Sequence, residues 1–142
     1  QFASSAASDV YKRQYHTLRG HLVLITNQFT GSDGDMFTAS FKQLKLGKVI
    51  GKRTWGGVVG IDGRYQLVDG TTTTQPQYSI WFHHAGWSVE NYGVDPDLVV
   101  EDPPQSYSNG MDHQLKQAVE VIQKILEEDP LPKIQDFKSN SR

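Results

Sequence analysis

The sequence predicts a mixed α/β domain with a parallel βαβ unit near its start, on three observations. The run at residues 21–26 has a Leu-Val-Leu-Ile centre of the kind that a buried strand carries. A helix-period pattern follows it across a Gly-Ser turn, and Lys48-Val49-Ile50-Gly51 then reads as a second short strand, parallel to the first. A long amphipathic stretch opens at Asp112 and closes the pattern.

Taken in order, residues 1–14 (QFASSAASDVYKRQ) are small, polar and without periodicity. The string SAASDVYKRQ also resembles an adapter-derived sequence found at the ends of chains translated from environmental sequence. Residues 1–14 are therefore expected to be a non-native or disordered leader, and the chain a C-terminal fragment of a longer protein. The core is expected over residues 15–128, and a polar, disordered tail over 129–142.

Within the core, the helix after the first strand is expected over residues 33–46. Met36, Phe37, Ser40, Phe41 and Leu44 would form its buried face, and Gly47 its C-cap. Residues 53–61 hold four glycines among β-branched residues, which suggests a strand that another backbone approaches closely. A bulged core strand and a sheet edge that receives an extended peptide both fit that composition. Asp62-Gly63 and Asp69-Gly70 are turn signals on either side of a return strand at residues 65–68. A threonine run at 71–74, a strand at 78–82 and a His83-His84-Ala85-Gly86 loop follow. The histidine pair reads as surface, because neighbouring residues of a strand point to opposite faces. Residues 87–97 form a loop with one conspicuous acid, Glu90; Leu98-Val99-Val100 is a last strand, and residues 101–104 an acidic, proline-rich linker. The final helix runs from an Asp112 cap to Glu128, with Leu115, Ala118, Val119, Ile122, Ile125 and Leu126 inward, and Pro130 and Pro132 end it.

Composition narrows the function. At 142 residues and 16.0 kDa the chain suits one domain with a real core. A net charge of −2 and a pI near 6.2 give no basic footprint for nucleic acid. No apolar run reaches membrane-spanning length, and no secretion signal is visible, so no membrane partner and a cytoplasmic location are expected. There is no cysteine, and the five histidines lack the spacing of a metal site, so no metal and no cofactor are expected.

The chemistry concentrates on Thr30-Gly31-Ser32-Asp33-Gly34-Asp35. A strand that ends in a Gly-Ser turn and opens a helix puts the serine hydroxyl at the helix N-terminus. Unsatisfied backbone N–H groups and the positive end of the dipole favour developing negative charge there. That suits a nucleophile and an oxyanion. It equally suits a plain N-cap serine, with Asp35 as an imperfect capping box.

The motifs Gly31-Ser32-Asp33-Gly34-Asp35, Val49-Ile50-Gly51-Lys52-Arg53-Thr54-Trp55-Gly56-Gly57-Val58 and Glu90-Asn91-Tyr92-Gly93-Val94-Asp95-Pro96-Asp97 stand in this order. Together they resemble the catalytic core of the tricorn proteases, within the wider set of tail-specific and C-terminal processing serine proteases. The resemblance covers roughly residues 22–128. It implies a crotonase- or Clp-protease-like α/β spiral of short strands with flanking helices, with a strand–Ser–helix junction at the nucleophile.

By that resemblance Ser32 is the nucleophile, the Asp33 backbone N–H is half of the oxyanion hole, and Glu90 supports the general base. Gly56, Gly57, Val58, Gly60 and Ile61 would lie along the substrate. Where C-terminal processing proteases carry a base lysine, this chain has Gly57, which excludes a Ser–Lys pair at that place; Lys48 and Lys52 are out of register. The tricorn arrangement uses a histidine and a serine well upstream, and His16 and His21 stand too close to the first strand to match them.

The implied activity is serine-type hydrolysis of peptides or unfolded protein tails, by a family that often assembles into multimers. The 142 residues alone are expected to be inactive. The alternatives are a non-catalytic peptide-binding module on the same fold and, more remotely, a crotonase-type acyl-CoA enzyme, for which no CoA site is visible.

Overall fold

The computed structural model describes residues 20–131; the expected leader at 1–14, His16 and residues 132–142 of the tail lie outside the described residues. Strand β1 (Leu22–Thr26) leads through a turn into helix α1 (Asp33–Gln43), which returns to strand β2 (Gly47–Gly51). β1 and β2 pair in parallel, Leu22 opposite Gly47 through Thr26 opposite Gly51, which completes the expected βαβ unit. Strand β5 (Leu98–Val99) adds in parallel on the other side of β2, giving the sheet order β1-β2-β5. Val49 and Ile50 of this central strand are fully buried, as a strand covered on both faces must be. Helix α3 (His113–Glu128) packs across β1 and β2. Asp112 caps it as expected, its carboxylate accepting the Leu115 N–H at 2.7 Å.

Gly47 does not cap α1; it begins β2. The left-handed residue after the helix is Lys45, at φ 53°, and the Leu46 N–H donates to the Phe41 carbonyl at 3.1 Å while the Lys45 N–H donates to that of Lys42. These are the paired bonds of a Schellman ending built on a lysine. Gly47 has a different reason to be glycine: a Cβ there would stand 1.9 Å from the Leu22 carbonyl oxygen.

The buried face of α1 is also rotated from the expected one. Asp35, Thr38, Ala39 and Phe41 are buried, whereas Phe37, Ser40 and Leu44 are exposed. Thr38 hides its hydroxyl by donating it to the Gly34 carbonyl at 2.7 Å. On α3, Leu115 and Val119 are likewise exposed, while Gln114 and Ala118 are buried.

The middle of the chain differs most from expectation. Asp62-Gly63 is not a turn; it lies within strand β3 (Gly60–Gln66) at an irregularity of the ladder. One hairpin turn, around Asp69-Gly70 with Gly70 at φ 82°, leads into strand β4 (Thr72–Tyr78), and β3 and β4 form a separate antiparallel ribbon. Residues 65–68 are therefore the end of β3 and its turn rather than a return strand. Residues 79–82 lie outside any strand, apart from a bridge between Phe82 and Gly86. The proline-rich linker carries a short helix, α2 (Pro104–Ser108), that starts on a proline in the position helices tolerate best.

A second core forms away from the sheet, from Ala39 of α1, Val58, Phe82, Val89 and Val94, with Met36, Ile80 and Ala85 against it. It anchors the loop of residues 82–94 and the stretch 54–59 onto one side of α1.

Candidate active site

Ser32 sits between β1 and α1, exposed, at φ 53° and ψ −112°. A side chain pays steric strain for that backbone conformation, which suits glycine. The turn before it is held by Asn27, whose carbonyl and side-chain oxygen accept the N–H groups of Thr30 and Phe29 at 3.0 and 2.9 Å. The Ser32 carbonyl starts the helix by accepting the Met36 N–H at 3.1 Å, but the hydroxyl caps nothing. A cap serine would be extended, with its oxygen turned to the N–H two or three residues on; this one is neither. The Asp33 N–H has no hydrogen-bond partner among the described residues. An exposed hydroxyl and a free N–H therefore stand side by side at the head of α1.

Asp35 is not part of a capping box. Its carboxylate is fully buried and accepts the Gly56 N–H at 2.9 Å and the Gly57 N–H at 3.2 Å. Sequence reading missed it because the helix face was placed one position away; centred on Thr38 and Ala39, that face includes a buried acid, which is a signal in itself.

Glu90 closes the next two positions. Its Oε2 accepts the N–H groups of Val58 at 2.8 Å and Val59 at 2.7 Å, while Oε1 accepts none among the described residues. Glu90 is half-buried at the end of a turn, where Gly93 N–H donates to the Val89 carbonyl and Asn91 N–H to that of Gly56. Gly56, at φ 89°, allows the approach: a Cβ there would lie 2.4 Å from the Gly93 nitrogen. Thr54 fixes the same contact from the other end, donating its N–H to the Val94 carbonyl at 3.1 Å and accepting the Val94 N–H on Oγ1 at 2.8 Å.

Residues 54–59 thus run as a bound, irregular segment and not as the expected strand; only Gly60 and Ile61 belong to β3. Their backbone donors from Gly56 to Val59 point at Asp35 and Glu90. The Trp55 N–H donates to the Thr30 carbonyl at 2.9 Å, which ties this segment to the Ser32 turn. The structure therefore brings Ser32, Asp33, Gly56, Gly57 and Val58 into one neighbourhood, with Glu90 joined through the segment. Lys52 pairs with Glu101, away from this arrangement. Among the described residues no histidine hydrogen-bonds Ser32 or Glu90: His21 reaches the Asp129 carbonyl at 2.7 Å and His84 reaches Gln43 at 3.0 Å.

Comparison with known proteins agrees with this architecture. The model of peptidase family S41 matches residues 3–100, a span that begins inside the stretch 1–14. A tricorn protease of Thermoplasma volcanium is 54% identical over 112 residues, which are 79% of this chain and 11% of that protein. Tricorn protease homolog 1 of Streptomyces coelicolor is 53% identical over 112 residues, covering 79% of this chain and 10% of that one. The crystal structure of the tricorn protease superposes with a TM-score of 0.74 at 52% identity, over 77% of this chain and 11% of that chain. A structure from Parabacteroides merdae shares the fold at a TM-score of 0.58 and 19% identity, over 80% of this chain and 34% of that one. The chain spans about a tenth of the length of the tricorn relatives it matches.

Proposed function

This chain belongs to peptidase family S41, and we propose that it carries the nucleophile-bearing part of a serine peptidase acting on peptides or unfolded protein tails. One observation carries the reading: Ser32 is held, strained and uncapped, at the head of α1 beside the Asp33 N–H, which has no partner among the described residues. A capping serine is extended, with its oxygen on an N–H of the first turn; a serine kept in a glycine conformation without that bond suits attack.

In this proposal Ser32 Oγ attacks the scissile carbonyl as a histidine takes its proton. The Asp33 N–H, reinforced by the helix dipole, receives the oxyanion. The amine leaves with the proton, and water, deprotonated by the same base, hydrolyses the acyl-enzyme. Glu90 holds Val58 and Val59 with Oε2, and its Oε1 is open to orient the base or a residue next to it. In this reading the base lies in a part of the protein outside these residues: among the described residues no histidine hydrogen-bonds Ser32 or Glu90, and Gly57 leaves no lysine at that place. Accordingly the 142 residues alone are expected to turn over no peptide. The chemistry uses side chains and backbone groups throughout.

Fluorophosphonate labelling of the longer protein that contains this chain tests the reading, beside its Ser32→Ala and Glu90→Ala variants. Labelling that disappears in Ser32→Ala and weakens in Glu90→Ala supports it. Equal labelling of wild type and Ser32→Ala removes Ser32 from the role. A folded wild type that takes no label favours a peptide-binding module instead.

A further inference from the structure

Trp55 is unusual for its residue type. Tryptophan is normally well buried, yet Trp55 is 66% exposed. It is exposed on a rigid backbone: its own N–H is tied to Thr30, the Thr54 N–H before it to Val94, and the Gly56 N–H after it to buried Asp35. Its six-membered ring lies against two glycines. A Cβ on Gly31 would come within 2.6 Å of Trp55 Cε3, and a Cβ on Gly57 within 2.6 Å of Trp55 Cζ3. Gly31 immediately precedes Ser32. The indole is thus seated next to the candidate nucleophile, on a floor that has no side chains to displace it.

Trp55 also borders a cleft of about 530 Å³ that opens beyond the carboxyl ends of β2 and β5, lined by Lys52, Arg53, Asp95, Pro96, Val99 and Glu101 among others. Clefts at that end of a parallel sheet are where open α/β folds take their ligands. The Arg53 guanidinium on its wall stacks on Tyr92, 4.5 Å from the ring centre. The three atoms nearest to a Cβ built on the glycine that precedes Ser32 all belong to Trp55.

We infer that Trp55 is a substrate-contacting platform, taking a large apolar or aromatic side chain of the peptide bound at Ser32. A fixed, flat, exposed indole gives contact area with little ordering cost on binding, as rigid aromatic anchors do elsewhere. The inference rests on the peptidase reading for its position in the substrate, and on the exposed indole for its chemistry.

The test uses the longer protein that contains this chain, with fluorogenic peptides in which a phenylalanine replaces glycine at successive positions around the scissile bond. Wild type is expected to prefer phenylalanine at one position, by about tenfold in kcat/KM. Trp55→Phe keeps part of that preference. Trp55→Ala loses it, its kcat/KM falling more for the phenylalanine peptide than for the all-glycine reference. A preference that survives Trp55→Ala, or an equal fall for every peptide, overturns the inference.

A second measurement does not need turnover. With Trp81→Phe and Trp87→Phe in place, Trp55 is the only indole of these residues, and its fluorescence is followed in the Ser32→Ala protein as the phenylalanine peptides are added. For the longer protein, the Trp55→Phe version supplies the background trace to subtract. A saturable change with phenylalanine peptides and none with the glycine reference supports the platform even where the serine proves not to be catalytic. A flat trace overturns the platform while leaving the labelling result standing.

Discussion

Asp35 and Glu90, on helix α1 and on a loop far along the chain, receive four consecutive backbone N–H groups, from Gly56 to Val59. The two acids differ in burial, and so should the effect of losing each. Asp35→Ala leaves two donors without a partner, one of them in a site closed to water, at about 1–3 kcal/mol for each. Glu90→Ala opens its donors to solvent, because Glu90 is only half-buried. Urea denaturation is expected to show Asp35→Ala losing roughly 2–5 kcal/mol and Glu90→Ala clearly less. A Glu90 variant as unstable as the Asp35 one would mean that the half-buried clamp contributes as much as the buried one.

The backbone strain at Ser32 can be measured directly. Alanine inherits the same positive φ, whereas glycine relieves it, so Ser32→Gly should be more stable than Ser32→Ala by about 1 kcal/mol. Both substitutions remove the hydroxyl, which makes the comparison independent of any role it has. Equal denaturation midpoints would show that the turn is unstrained.

Lys45 offers the same logic away from the site. Its φ of 53° is the left-handed ending of α1. Lys45→Gly should raise stability by about 0.5–1 kcal/mol, while Lys45→Ala should not. A thermal melt of the three proteins decides it.

Asp97 makes the fold sensitive to acid. Partial burial alone would raise its pKa. The Val49 N–H, donating to Oδ2 at 2.8 Å, and the Lys42 ammonium, 3.0 Å from Oδ1, outweigh burial and bring it below the ordinary aspartate value. A carboxyl that binds its proton less readily when folded adds stability that is complete above the unfolded pKa, near 4, and fades as pH falls through the folded value. Asp97→Asn should therefore lower stability at pH 7 and flatten the acid limb of the stability profile. An unchanged slope below pH 4 would show that other carboxylates set it.

The sheet and the terminal helix were legible because their signals are local. β1 and β2 are short runs of apolar residues separated by a helical period, and Asp112 with the apolar pattern behind it marks α3 from both ends. The segment after Arg53 was not legible in the same way. Its glycines suggested a strand, yet what shapes it is a pair of carboxylates distant in sequence, and no propensity of the segment itself encodes them. Asp62-Gly63 looked like a turn on composition, and the ladder with β4 absorbed it as an irregularity instead. Ser32 was legible as a helix opening; its positive φ was not, because a serine there reads first as a cap. Phe37 and Leu44 were expected inward on period alone; the second core drew Ala39 in instead, with Thr38 buried beside it on its own helix bond to Gly34.

The double clamp also has a consequence for the order in which this region can take shape during synthesis. The ribosome delivers residues 35 and 56–59 well before residue 90, and domains begin to organise from the end made first. Once 56 and 57 have emerged, Asp35 can hold them, but Val58 and Val59 keep open donors until the loop bearing Glu90 arrives. The neighbourhood of Ser32 is therefore finished by one of the later parts of the chain. A nascent protein would already hold its serine at the head of α1 while the ground beside it was still unformed.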